Sequence, residues 1–289
     1  MNELNLLAPA KINLTLEILG KRPDNFHDLT SIMMSVDLND EIKIEKSSTL
    51  EVFCTNRLIA KDFNLAYLAA KRLKNQFKIS KGAKITISKN IPVSAGLGGG
   101  SSDAAMTLIG LNKFWGLDLN LDQLFPIASS LGSDITFFLH NGTAMVQGKG
   151  ELIRTLPLAN IKHAVILSPD ISIKNKTAHM FGKVRSQDYT KGALTRKLEA
   201  RIRRRGDIPP ELLFNVFDEI SIRIFPELNL IRQMFSDIWS GEIHLCGAGP
   251  SLFTLVESRE NAIALSLLLN KKTDFKAYVV EPTKQFEWQ

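Results

Sequence analysis

Pro92-Val93-Ser94-Ala95-Gly96-Leu97-Gly98-Gly99-Gly100-Ser101-Ser102-Asp103-Ala104-Ala105 reads as a glycine-serine loop running into the start of a helix. Glycine permits backbone angles closed to other residues and lets a bulky anion approach the peptide N–H groups. The first N–H groups of the following helix, expected over residues 103–115, lack internal partners and sit at the positive end of its dipole. With the hydroxyls of Ser101 and Ser102 as extra donors, the stretch is a ready anion site. The same residues also suit a plain tight turn capped by a serine, so the loop alone leaves both readings open. It is not a P-loop, because the chain has no GxxxxGK[ST]. Its glycines also miss the GxGxxG register, with Ser101 and Asp103 where the third glycine should fall.

Outward from the loop, residues 10–19 alternate as a strand, with Ile12, Leu14, Leu16 and Ile18 on one face and Lys11, Asn13, Thr15 and Glu17 on the other. A turn at Arg22-Pro23-Asp24-Asn25 leads to a second strand over residues 30–36, and residues 41–53 read as further strand. Helical spacing covers residues 65–77 and 121–131, with a short helix after Ser133-Asp134. Strands are expected at 83–88, 143–147, 153–156 and 164–167. The second half carries helical patterns near 193–204, 210–217, 228–235 and 262–269, with a strand-turn-strand at 244–256. Strands and helices mixed without a regular βαβ rhythm predict an α+β protein of two domains, residues 1–158 and 159–289.

The chain has 289 residues, 44% hydrophobic and 23% charged, ample for a sizeable core. Cys54 and Cys246 stand far apart with no metal-ligand spacing, so neither a disulfide framework nor a protein metal site is expected. No stretch approaches the roughly 20 apolar residues of a membrane span, and the N-terminus has no signal-peptide pattern. A cytoplasmic protein is expected. The formal net charge is +6, and Arg196 to Asp207 alone supplies +4 of it. That segment suits a solvated helix face, since no aromatic residues are interleaved for stacking on bases.

Four segments in order resemble the GHMP kinase superfamily. The glycine-serine loop looks like its central motif, and Ala8-Pro9-Ala10-Lys11-Ile12-Asn13-Leu14 like its N-terminal one. Leu131-Gly132-Ser133-Asp134-Ile135-Thr136-Phe137-Phe138 resembles the segment with the catalytic aspartate, and Gly247-Ala248-Gly249-Pro250-Ser251 the late glycine turn. The resemblance spans residues 8–256, strongly to 155 and thinly over 170–240. It implies a GHMP kinase fold, with an N-terminal domain of the ribosomal S5 domain 2-like type and a ferredoxin-like C-terminal domain. Lys11-x-Asn13, the run Arg22 to Leu29, the tripled glycine and the turn from Gly148 to Glu151 fit a branch whose substrate carries a cytidine diphosphate group.

The resemblance also implies roles. ATP would be the co-substrate, held by Pro92, Gly96, Leu97, Gly98, Gly99, Gly100, Ser101 and Ser102. Asp134 would be the general base that takes the proton of the acceptor hydroxyl; its plain alternative is a helix N-cap. Lys11 would stand beside Asp134 and favour both the carboxylate and the forming alkoxide; its plain alternative is an exposed edge lysine. Asn13 would bond to the substrate. Phe26 and His27 would stack on cytosine and read its edge, with Phe181 as a second ring. Phe26 departs from the usual tyrosine, which keeps stacking and loses a phenolic hydrogen bond.

At the late turn Gly247 and Gly249 permit close approach to phosphate. Cys246 and Ala248 replace hydroxyl residues there, a loss Ser251 could compensate. Asn215-Val216-Phe217 replaces an Asn-Asp pair. Mg²⁺ is expected with ATP, without a carboxylate cage of its own. The partner is a small molecule, not nucleic acid or membrane. Rival readings are another GHMP enzyme, such as homoserine or mevalonate kinase or diphosphomevalonate decarboxylase, and a non-catalytic RNA-binding protein. Phe26-His27 argues against the first, because those substrates carry no nucleobase.

Overall fold

The computed structural model describes residues 2–55, 64–171 and 176–285. In chain order the strands are β1 (Glu3–Lys21), β2 (His27–Glu45), β3 (Leu50–Cys54), β4 (Ala83–Ser88), β5 (Thr143–Gly148), β6 (Leu152–Leu156), β7 (His163–Ser168), β8 (Phe214–Asn215), β9 (His244–Leu245), β10 (Leu252–Val256) and β11 (Lys276–Val280). The helices are α1 (Leu65–Gln76), α2 (Gly99–Trp115), α3 (Leu121–Leu131), α4 (Ser133–His140), α5 (Lys176–Gly182), α6 (Ala193–Arg203), α7 (Val216–Ile224), α8 (Pro226–Ser236) and α9 (Arg259–Lys272). The architecture is α+β, as expected. Among the described residues no helix is long and apolar enough to cross a membrane.

The first seven-stranded sheet runs β3-β4-β2-β1-β8, with β5 on β2 and β6 on β5. The second is four-stranded, β11-β7-β10-β9, with antiparallel pairing throughout. Numbered in chain order that is 4-1-3-2, the ferredoxin-like order. Helices α1 to α4 cover one face of the large sheet through Ala66, Leu73, Ala104, Leu108, Ile127 and Phe138. A second cluster joins Ala10, Ile12 and Leu14 of β1 to Ala164, Ile166, Leu198, Phe253 and Val280, all from beyond residue 158.

The two longest strands explain where the site lies. Leu4, Leu6 and Ala8 of β1 pack on the helices. The register against β2 then shifts between Pro9 and Ala10. Past that bulge Ala10, Ile12 and Leu14 pack in the other cluster. Lys11 accordingly faces the start of α2, where a Cβ on Gly98 would meet its Cγ at 3.1 Å and the Phe138 ring at 2.8 Å. A bulge re-aims side chains in this way. A second shift between Asn13 and Thr15 sends Leu16 and Ile18 into a third cluster with Val165, Val216 and Phe217. The single apolar face expected for residues 12–18 is therefore split in two.

Other local expectations change for physical reasons. Residues 41–45 continue β2, and β3 is a separate strand pairing with β4. Residues 210–217 are not one helix. A 3-10 turn over Pro210–Leu212 leads into β8, and the Asn215 side chain accepts from Phe217 N to cap α7. Helix α2 begins at Gly99, four residues earlier than expected, with Gly98 as its left-handed N-cap.

Candidate active site

A cleft of about 1050 Å³ opens between the two halves of the chain. Lys11, Asn13, Phe26, His27, Ser94, Gly96, Gly98, Asp134 and Lys149 line it from the first half. Lys176, Thr177, Phe181, Phe217, Gly247 and Ala248 line it from the second.

At its floor Lys11, 4% exposed on a central strand, has the geometry of a placed group and not of an edge lysine. Its Nζ donates to Asn13 Oδ1 at 2.7 Å and lies 3.9 Å from Asp134 Oδ2. Asn13 Nδ2 donates to Ser31 Oγ at 2.9 Å, so Asn13 holds the ammonium and has one N–H left for a ligand. The Asp134 side chain is 44% exposed, in the first turn of α4. It is no cap: Gly132 occupies the N-cap and receives no side-chain bond. A carboxylate that accessible, with one ammonium beside it, can accept a proton from a bound hydroxyl.

The glycine-serine loop and the late turn meet backbone to backbone. Gly96 has φ +86°, and a Cβ there would stand 1.9 Å from the Cys246 carbonyl oxygen. Ser251 N donates to the Ala95 carbonyl at 3.1 Å, and Lys11 N to that of Leu97 at 2.9 Å. Gly247 comes so close that a Cβ would lie 2.9 Å from Lys11 Nζ. Asn215 Nδ2 braces this turn through the carbonyls of Leu245 (2.9 Å) and Gly247 (2.8 Å). Asn215 thus supports the turn.

Several expected donors are turned away from the cleft. The Leu97 side chain belongs to the core, and the Ser102 hydroxyl is buried without a partner among the described residues. The helix starts early enough to rotate Ser102 inward. Of the loop glycines Gly96 and Gly98 line the cleft, whereas Gly99, Gly100 and Ser101, in the first turn of α2 where N–H groups lack helical acceptors, lie outside its lining. Pro92 is half-buried and does not line the cleft. Ser251 cannot compensate for Cys246 or Ala248, because it is fully buried and its hydroxyl donates to Ser168 Oγ at 3.0 Å. Burial pushes the Cys246 thiol up to about 12, so it is inert.

The other end of the cleft is aromatic. The His27 ring stacks on Phe181 with centroids 5.8 Å apart at 30°, and Phe181 meets Phe217 edge-on at 4.9 Å. Phe181 is at once cleft wall and core. Phe26, 57% exposed, lies under Lys149 Nζ at 4.9 Å from its centroid. Burial first, and Lys21 second, lower the pKa of His27, which keeps the ring neutral and able to read a base edge. Sequence reasoning missed Lys149 and Lys176. The turn from Gly148 to Glu151 pointed to the first, whereas no periodicity marks the second.

Fold and cleft together define an ATP-dependent small-molecule kinase of the GHMP type. The GHMP kinases N terminal domain matches residues 64–142. A 4-diphosphocytidyl-2-C-methyl-D-erythritol kinase of Geobacillus sp. (strain WCH70) is 38% identical over 253 residues, covering 86% of this chain and 87% of that one. A crystal structure of 4-(cytidine 5'-diphospho)-2C-methyl-D-erythritol kinase superposes with a TM-score of 0.82 at 28% identity, covering 96% of this chain and 98% of the other. A homoserine kinase from Cytophaga hutchinsonii shares the fold alone, with a TM-score of 0.74 at 18% identity and coverage of 99% and 96%. The chain belongs to the 4-diphosphocytidyl-2-C-methyl-D-erythritol kinase family of GHMP kinases.

Proposed function

We propose that the protein transfers the γ-phosphoryl group of ATP to the 2-hydroxyl of 4-diphosphocytidyl-2-C-methyl-D-erythritol, giving the 2-phosphate and ADP in the non-mevalonate isoprenoid route. The observation that carries this is the position of the Lys11–Asp134 pair, 3.9 Å apart, between the glycine-serine loop and the aromatic recess at His27 and Phe181. In this reading the loop amides hold the phosphates, and the cytosine enters the recess against Phe26, His27 and Phe181. The acceptor hydroxyl then meets Asp134. Asp134 takes its proton as the new P–O bond forms and the bond to ADP breaks. Lys11, fixed by Asn13, stabilises the developing alkoxide, so catalysis is mostly positioning and electrostatics.

Gly247 and Gly249 let the late turn close on the phosphate side. The domains meet at this cleft, with the boundary near residue 158. Mg²⁺ accompanies ATP in this scheme: it needs only one or two protein oxygens beside phosphates and waters, and among the described residues Asp134 is the single carboxylate in the cleft lining. When bound, the ion would neutralise phosphate charge. The reading places the enzyme in the cytoplasm with a small-molecule partner. Homoserine or mevalonate kinase activity gives no reason for an aromatic recess at His27 and Phe181, and an RNA-binding role explains neither Asp134 nor the loop.

The test is ATP consumption against alcohols with and without a cytidine diphosphate group. Turnover is expected only with the cytidylated acceptor; turnover of homoserine or mevalonate instead would refute the assignment. Asp134→Asn is expected to lower kcat by about 10²–10⁴-fold while a non-hydrolysable ATP analogue still binds. Near-normal turnover would remove Asp134 as the base.

A further inference from the structure

Lys176 opens α5 with its side chain buried, the residue being 7% exposed. A buried ammonium is costly unless its charge is answered. Among the described residues no carboxylate lies within ion-pair distance of it. Its Nζ donates to the Ser94 carbonyl at 2.7 Å, which leaves two N–H donors without a partner there. Burial, and then the nearby Lys11, lower its pKa to about 8, against a smaller opposing pull from Cys246. The fold thus holds an uncompensated cation beside a second one, both at the cleft wall.

Its place along the cleft says which anion fits. Ser94 stands two residues before Gly96, whose backbone packs on the late turn. Five residues on, about 7.5 Å along α5, Phe181 reaches the His27 ring. One short helix therefore runs from the glycine-serine loop to the aromatic recess, and its lysine is at the loop end.

We propose that Lys176 binds the phosphoryl group in transfer, its two remaining N–H donors meeting the oxygens of the γ-phosphate. This rests on the kinase reading above. The bond from the γ-phosphorus to ADP breaks, the bond to the acceptor oxygen forms, and the acceptor proton goes to Asp134. Lys176 keeps its own protons throughout. Lys11 serves the acceptor side of the reaction, and Lys176 serves the phosphate. Arranged donors of this kind are worth most where charge moves in the transition state.

The diphosphate of the acceptor offers similar oxygens, so the test separates the two sources. Lys176→Gln can still donate to the Ser94 carbonyl but carries no charge; Lys176→Arg keeps the charge. For the Gln variant we expect kcat with the cytidylated acceptor to fall about 10–100-fold. Affinity for a non-hydrolysable ATP analogue should fall about tenfold, while ADP and cytidine diphosphate bind as before. The Arg variant should recover much of the analogue affinity. Normal turnover and analogue binding in the Gln variant would overturn the proposal. So would selective loss of cytidine diphosphate binding, or equal loss of ADP and analogue. If the Gln variant fails to fold, the Arg variant decides alone: wild-type preference for the analogue over ADP supports the proposal, and loss of that preference rejects it. Should the wild-type protein not turn over the cytidylated acceptor, the functional reading fails, and the analogue-against-ADP comparison still judges Lys176.

Discussion

Lys11 shows how a single side chain acquires its chemistry. Its ammonium is held by Asn13, which is held by Ser31, whose hydroxyl donates to the Thr15 carbonyl. Three buried polar groups thus fix one charge opposite Asp134. Lys11→Met should leave acceptor KM nearly unchanged and lower kcat by about 10²-fold, because the charge matters most as the alkoxide forms; steady-state kinetics decides. Phe26 is exposed enough that Phe26→Ala should cost about 1 kcal/mol of base stacking, seen as a roughly fivefold rise in acceptor KM with kcat retained. His27 gives a signed pH dependence. Its pKa lies below the ordinary 6.5, so the native ring stays neutral as pH falls past that value while the unfolded one takes a proton. Acceptor KM should be flat from pH 8 to about 6.5 and rise only below it. The His27 contribution to stability, present above 6.5, should be lost as pH falls toward the native pKa.

Elements matter here through where they end and how they are braced. Past the irregularity after Pro9, Lys11 faces the start of α2, and the early start of α2 rotates Ser102 inward and leaves Gly98, its left-handed N-cap, on the cleft wall. Asn215 joins β8, the cap of α7 and two carbonyls of the late turn in one side chain. Asn215→Ala should therefore cost roughly 2–4 kcal/mol in a denaturant melt with unchanged slope. Gly96→Ala meets both a left-handed backbone and the Cys246 carbonyl. It should lower stability by at least about 2 kcal/mol and raise the KM for ATP, separating the loop from the late turn it packs on.

The two halves of the chain do not fold apart in this architecture. Strand β8 comes from the second half and pairs in parallel with β1 of the first. The cluster around Ile12 and Leu14 needs Ile166, Phe253 and Val280 to close, and Ser35 meets Thr283 at the far end of the chain. A fragment of residues 1–158 should therefore lose near-UV circular dichroism and bind hydrophobic dyes, whereas the full chain unfolds cooperatively. A cleft walled by both halves also couples ligand to fold. Nucleotide and acceptor together should raise Tm more than either alone.

Reading the residues in order was enough for the α+β class, most elements of the first half, and the candidate set Lys11, Asp134, Phe26, His27 and the glycine-serine loop. The elements and the loop rest on local chemistry: period-two alternation, helix-start amides and glycine backbone freedom. Asp134, Phe26, His27 and the pairing of Lys11 with Asp134 rest on the resemblance of ordered motifs to the GHMP kinases. The thin region between 170 and 240 was misread in part, because β8 is two residues long and exists only through its pairing with β1. The alternation put Lys11 opposite Ile12 and Leu14, but tertiary structure alone decided what each face meets, since the register shift between Pro9 and Ala10 leaves no mark in the alternation. It alone turned Ser102 and Ser251 away from the cleft, and it alone brought Lys176 to the Ser94 carbonyl, across 82 residues of chain. The loop that announces a phosphate site is a local feature; the charges that surround it are long-range contacts, and only the folded chain places them.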